Sequence, residues 1–152
     1  RNERVSPTML LDAQLMVSTS QVVTTSTVST NAIDVGAGVV RNIGWGEEMR
    51  MMAQIAATFT GGTSLQVEII CADDAALTTN VTSMALGPVV PVASLTAGGA
   101  LPLDLVLPTN TRRFIGCRYN VVGTMTAGQI TAGLVHDTDR QKYYASGYPN
   151  LA

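Results

Sequence analysis

"MRMMAQIAATFTGGTSLQVEIIC" (Met49–Cys71) is the stretch on which the reading of the whole chain turns. Its first half is rich in Ala, Met and Gln, which favour helix. Its spacing is that of a strand. Met49, Met51, Ala53, Ile55, Ala57 and Phe59 fall on one side of a period of two, and Arg50, Met52, Gln54, Ala56 and Thr58 on the other. "TGGT" (Thr60–Thr63) then supplies turn chemistry. "SLQVEIIC" resumes the same period, with Leu65, Val67, Ile69 and Cys71 inward and Gln66 and Glu68 outward. Two successive strands around a glycine turn, rather than one helix, set the fold class.

Further along, "DDAALTTN" (Asp73–Asn80) reads as a loop with one helical turn capped by Asp73 or Asp74. "VTSMAL" (Val81–Leu86) and "VPVASL" (Val90–Leu95) predict two short strands split by Gly87-Pro88. "LPLDLVL" places Leu103, Leu105 and Leu107 on one face, and its bracketing prolines suit an edge or a strand end. "RRFIGCRYNVV" (Arg112–Val122) and "QITAGLVH" (Gln129–His136) follow, joined by "GTMTAG". Upstream, "STSQVVTTSTVST" (Ser18–Thr30) is uncharged and rich in the β-branched residues that stiffen χ1 and suit a pleated surface. The sum is about eight antiparallel strands with Gly, Pro or Asn between them, an all-β, jelly-roll-like β-sandwich. No strand alternates with a long amphipathic helix, which argues against a doubly wound α/β fold.

The 152 residues suit a single domain with one core. Hydrophobic residues make up 46% and charged residues only 13%, against about 25% in an average soluble domain. So little charge implies a surface partly covered by partners. Net charge is −2 and the eight arginines are scattered, with no basic stripe for direct contact with nucleic acid. No apolar run approaches the ~18 residues of a membrane span. The apolar stretch near the N-terminus is broken by Asp12 and Gln14, unlike a secretory signal, so synthesis in the cytoplasm is expected. Cys71 and Cys117 lie in strand-like segments without metal-ligand spacing. Buried reduced thiols are expected there, with a disulfide between neighbouring strands as the alternative. Met49, Met51 and Met52 read as core filler ahead of an adaptable surface.

Chemistry has one candidate corner, "LVHDTDRQKYYASGYPN" (Leu134–Asn150), where the single histidine, His136, stands near Asp137 and Asp139. No EF-hand pattern is present, and "YASGY" lacks the spacing of a nucleophile elbow. The adjacent carboxylates Glu47-Glu48 and Asp73-Asp74 diverge if they lie on strands. His136 therefore reads as a strand end running into a turn. No catalytic residue, metal or cofactor is expected, and the chain is not expected to be an enzyme. Tyr143, Tyr144 and Tyr148, with Arg140 and Lys142, are of the types enriched at protein interfaces.

Two long stretches carry a resemblance. "MLLDAQLMVSTSQVVTTSTVSTNAIDVG" (Met9–Gly36) and "PVASLTAGGALPLDLVLPTNTRRFIGCRYNVVGTMTAGQITAGLVHDTD" (Pro91–Asp139) resemble the capsid cement proteins of the Bordetella-phage type, found in tailed bacteriophages. The resemblance rests on the opening Met-Leu-Leu-Asp-Ala-Gln, on Ile33–Gly36, on the Leu95–Gly98 turn and on Tyr119–Gly128. "YASGYPN" answers to the family's tail, with Ala145 where proline is usual.

The resemblance implies a jelly roll on the outer surface of an icosahedral head, bridging neighbouring copies of the major capsid protein. It implies a homodimer ahead of a trimer, and no enzymatic activity. Residues 1–8 precede the family's usual start and read as an extension or a cloning remnant, 9–138 as the jelly roll and 139–152 as a tail. Candidate contact residues are Met9, Leu10 and Leu11, which either dock on a neighbour or join the sheet. Arg112 and Arg113 either meet acidic groups on the shell or stay solvated. Tyr143, Tyr144 and Tyr148 of the tail complete the set. The rival reading is a receptor- or glycan-binding β-sandwich of a virion, with Trp45 exposed between glycines in "IGWGEE".

Overall fold

The structure, a computed structural model, describes residues 12–37, 49–106 and 112–135. Their strands are β1 (Met16–Val22), β2 (Thr27–Val28), β3 (Ile33–Asp34), β4 (Arg50–Gly61), β5 (Ser64–Ala72), β6 (Thr82–Pro91), β7 (Ala100–Val106), β8 (Phe114–Val122) and β9 (Met125–Val135). The helical content among these residues is two short 3-10 turns, Ala13–Leu15 and Val92–Ser94.

Met49–Phe59 is indeed a strand. Met51, Ala53, Ile55 and Phe59 are buried, while Gln54, Ala56 and Thr58 are exposed. Burial of one pleated face overrides the helix preference of Ala and Met.

One sheet has the order β1-β9-β4-β7; the other has β2-β8-β5-β6, with β3 also on β8. Every pairing is antiparallel. Since β2 and β3 share β8, they act as one interrupted strand. The pairs are then nested: β1 with β9, β2 and β3 with β8, β4 with β7, β5 with β6. A long hairpin folded over on itself in this way is a jelly roll.

Two of the connections that cross between the sheets meet at one end. Gly62 (φ +62°) carries the chain from β4 to β5 and Gly123 (φ +82°) carries it from β8 to β9. The two corners touch, and a Cβ on Gly123 would stand 3.1 Å from the Gly62 Cα. The left-handed backbone and the close approach both require glycine. The Thr63 N–H donates to the Val122 carbonyl at 2.8 Å and fastens one corner to the other.

The core lies between the sheets. Leu65, Val67, Ile69 and Cys71 of β5 and Ile115, Cys117 and Tyr119 of β8 meet Val17, Met51, Ile55, Ile130 and Leu134 of the other sheet. Each large aliphatic group removed from water there contributes about 1.5–3 kcal/mol before the cost of ordering.

Four local expectations are corrected. Gly87-Pro88 does not split two strands, because β6 runs through it. Gln66 pairs with Val89 and Glu68 with Leu86, so β6 carries an extra residue there, a bulge on an edge strand where proline removes no needed donor. Asp73–Asn80 holds no helical turn and wraps instead around the Asp74 carboxylate. "GTMTAG" is mostly strand, since β9 begins at Met125. Glu68 does point away from the core, yet it is only 5% exposed.

The cysteines are free and buried. Cys71 pairs with Ile115 and Cys117 with Ile69, so the thiols sit diagonally rather than opposite one another. Burial pushes the Cys117 thiol up to about 12.

Candidate functional site

The segments that carry the sequence resemblance build the fold. Asp12 caps the first 3-10 turn, its Oδ1 accepting from the Gln14 N–H at 2.9 Å. Leu95 is fully buried in the β6–β7 connection. The Phe59 N–H donates to its carbonyl, and the Gly98 N–H donates to the Ile55 carbonyl, both at 2.9 Å. In the stretch from Tyr119 to Gly128, Tyr119 is fully buried, Met125 is 1% exposed and Gly128 lies under the Phe59 ring.

Three arginines at the start of β8 and along it are paired within the chain. Arg112 Nη1 lies 3.0 Å from Asp73 Oδ2, and its Nε donates to Thr82 Oγ1 at 3.1 Å. Arg113 donates from Nε and Nη2 to the two Asp34 oxygens, both at 2.9 Å, and its guanidinium lies 5.0 Å from the Phe114 ring centroid. The Asp34 carboxylate raises the Arg113 pKa. Arg118 donates from Nε to Glu68 Oε2 at 2.7 Å, its Nη2 lies 2.7 Å from the same oxygen, and Asn120 Nδ2 adds a bond at 3.2 Å. The Arg118 hydrogen bond holds the Glu68 carboxyl below its ordinary range against the opposing effect of burial.

Arg112 and Arg113 therefore tie the start of β8 to the β5–β6 loop and to β3. About 40% of each side chain stays exposed, so their outer faces are still accessible.

The two outer sheet faces differ. The β1-β9-β4-β7 face carries Gln54, Ala56, Thr58 and Thr60 of β4 beside Thr131 of β9 and Ser20 of β1, and this middle stretch bears no charge. The β2-β8-β5-β6 face has a covered half and an open half. Over the covered half lies the loop Asp73–Asn80, whose Leu77 packs on Ile70, Ala72, Val28 and Phe114 as a second apolar cluster. The open half shows Leu86, Val89 and Val122 at 56–60% exposure, flanking the Glu68–Arg118 pair.

At the side of the sandwich where β6 faces β7, Leu65, Val67, Pro88, Val90, Leu101 and Leu103 line a shallow recess. It is too small for a substrate. The opposite side is closed by Gln21, which bonds Val28 and Thr30 across the gap between sheets.

Sequence reading missed the Glu68–Arg118 pair and the Leu77 cluster. A glycine inside a strand, Gly116, and a lone leucine in a polar loop, Leu77, were the available signals. The residues Met9, Leu10, Leu11, Tyr143, Tyr144, Tyr148, Trp45 and His136 lie outside the described residues. Among the described residues no group of three or more His, Cys, Asp or Glu could hold a metal ion, and no helix is long and apolar enough to cross a membrane.

These features define a class: a charge-poor jelly-roll protein whose signature segments help to build the fold. A protein-family model, Bbp16, matches residues 17–134. The chain belongs to the Bbp16 family, which places it among phage virion proteins. No curated protein matches the chain.

Proposed function

We propose that this chain is a capsid cement protein, which binds the outer surface of the phage head and bridges neighbouring copies of the major capsid protein. The observation that carries the reading is a jelly roll of a phage virion family whose outer faces offer contact area and little net charge. The middle of one face is uncharged, and on the other the Glu68 carboxylate is neutralised by Arg118.

Such a protein needs area across a seam and no reactive group. About 1,000 Å² or more of buried surface is the scale of one specific contact, and many modest contacts on one shell add through multivalency. Separating two shell subunits then requires the cement to be peeled off. The face is neutral and rich in Thr, Ser and Gln, so binding should depend only weakly on ionic strength. The protein has no catalytic role in this reading. Met9–Leu11 and the tail tyrosines stay candidates for the contact, and a homodimer is the proposed form.

The test is add-back. Heads of its own phage purified without this chain should bind it at a fixed ratio to the shell protein and should then withstand higher temperature before releasing DNA. Heads that bind it without any gain in resistance, or fail to bind it, would overturn the assignment.

A further inference from the structure

The loop Asp73–Asn80 is built differently from the sheet it covers. Two of its residues, Leu77 (φ +56°) and Asn80 (φ +50°), hold left-handed backbone conformations that side chains rarely adopt. Besides the Arg112–Asp73 ion pair at its start, with Nη1 3.1 and 3.0 Å from the carboxylate oxygens, the loop is fastened at two places. One is a clasp around the Asp74 carboxylate, which accepts from the Thr78 and Thr79 N–H groups at 2.9 and 2.7 Å and from the Thr78 hydroxyl at 2.7 Å. The other is Leu77 itself, 3% exposed, seated in a notch that exists because position 116 has no side chain. A Cβ on Gly116 would stand 2.3 Å from Leu77 Cδ1.

The ground beneath is complete without the loop. Ile70 is paired with Ser83 of β6 and Gly116 of β8, and Ala72 with Phe114. Their cluster is separate from the main core. Lifting the loop therefore breaks its own clasp and the Arg112–Asp73 pair and withdraws one leucine, and it breaks no pairing of the sheet.

We propose that Asp73–Asn80 is a latch: it opens as a unit while the sandwich stays folded, withdrawing Leu77 and uncovering Ile70, Phe114 and Val28 on the outer face. That face then has two states. In one its apolar half is covered, and in the other the whole face is open. The latch does not depend on what the face binds, so its test stands apart from that of the cement reading.

The test is native-state hydrogen exchange on the full chain in rising, sub-denaturing urea, because local opening exposes little surface and responds weakly to denaturant. The Leu77, Thr78 and Thr79 amides should exchange at rates almost independent of urea. The Cys117 amide of β8, bonded to Ser29 Oγ at 3.1 Å, should follow urea steeply. Asp74→Ala should speed the loop amides at least tenfold, leave the Cys117 amide unchanged and create binding of the dye 8-anilinonaphthalene-1-sulfonate. Gly116→Ala should do the same to the loop amides. One shared urea dependence for the loop and β8, or an Asp74→Ala protein that binds no dye, would overturn the latch.

Discussion

The phenol of Tyr119 and the hydroxyl of Ser18 lie 2.7 Å apart inside the sandwich, and both residues are fully buried. Tyr119 belongs to β8 and Ser18 to β1, so this bond joins the two sheets. Ser18 gives its single proton to Gln21 Oε1 at 2.6 Å, which leaves Tyr119 as the donor of the pair. Gln21 in turn donates to the Val28 carbonyl and accepts from the Thr30 N–H, both at 2.9 Å. The chain of bonds runs from the centre of the sandwich to its closed side.

Tyr119→Phe should therefore destabilise the protein by about 1–2 kcal/mol, the cost of leaving the Ser18 oxygen one donor short in a dry site. Ser18→Ala strands the buried phenol instead and should cost at least as much. Urea denaturation midpoints measure both, and midpoints equal to wild type would show that the bond does not hold the sheets.

Stability should fall on the alkaline side. Burial, and next the neighbouring Cys117, raises the Tyr119 pKa above the ordinary phenol value of 10.0, and burial raises the Cys117 thiol from 9.0 to about 12. Both groups stay protonated in the fold and ionise more readily once unfolded. Their contribution is thus complete below pH 9 and is lost as pH rises through that range and beyond. Denaturation midpoints followed upward from neutral pH should begin to drop near pH 9, and less steeply in Tyr119→Phe. A level profile would contradict the burial of both groups.

The acid side depends on Glu68. Its carboxyl is held below the ordinary value of 4.5, first by the Arg118 hydrogen bond. The stabilisation is present above that value and is lost as pH falls through and below it. Glu68→Gln should flatten this part of the profile. Arg118→Ala leaves a carboxylate with only 7% exposure short of its main partner and should cost about 2 kcal/mol at neutral pH. That lies below the full range for a buried pair because the Arg118 side chain is 39% exposed. Thermal unfolding across the acid range checks both.

Gly128 and Phe59 should be coupled. A Cβ on Gly128 would stand 2.2 Å from Phe59 Cδ1, so Gly128→Ala forces the ring aside and should cost about 1–3 kcal/mol. Phe59→Leu empties part of that space and should make the second substitution cheaper. A double-mutant cycle by thermal unfolding reads the coupling, and strict additivity would contradict the contact.

The alternation from Met49 to Phe59 revealed a strand because one face of β4 is buried and the other exposed, the condition under which a period of two is visible. The antiparallel two-sheet class followed from similar stretches. Gly87-Pro88 misled because both residues usually end strands, and only the edge position of β6 and its bulge make them tolerable inside one. Ile70 and Glu68 were hidden for another reason. Period-two reading assigns the outer face to solvent and cannot see that Leu77 covers one residue and Arg118 the other. The internal pairing of Arg112 and Arg113 was equally invisible, since Asp73 and Asp34 stand 39 and 79 positions away. The Tyr119–Gly128 segment was legible through its resemblance to a family pattern. Its work of tying sheets, turning a corner and fitting under Phe59 is a matter of three-dimensional packing that spacing does not express.

The central claim, that this jelly roll cements a phage head from outside, is tested most directly by an electron-microscopic reconstruction of DNA-filled heads that carry the chain, compared with heads lacking it. The account predicts two-sheet density of this size on the outer surface, straddling seams between shell subunits and absent from the second sample. Identical shells in the two samples, or density confined to another part of the virion, would contradict it.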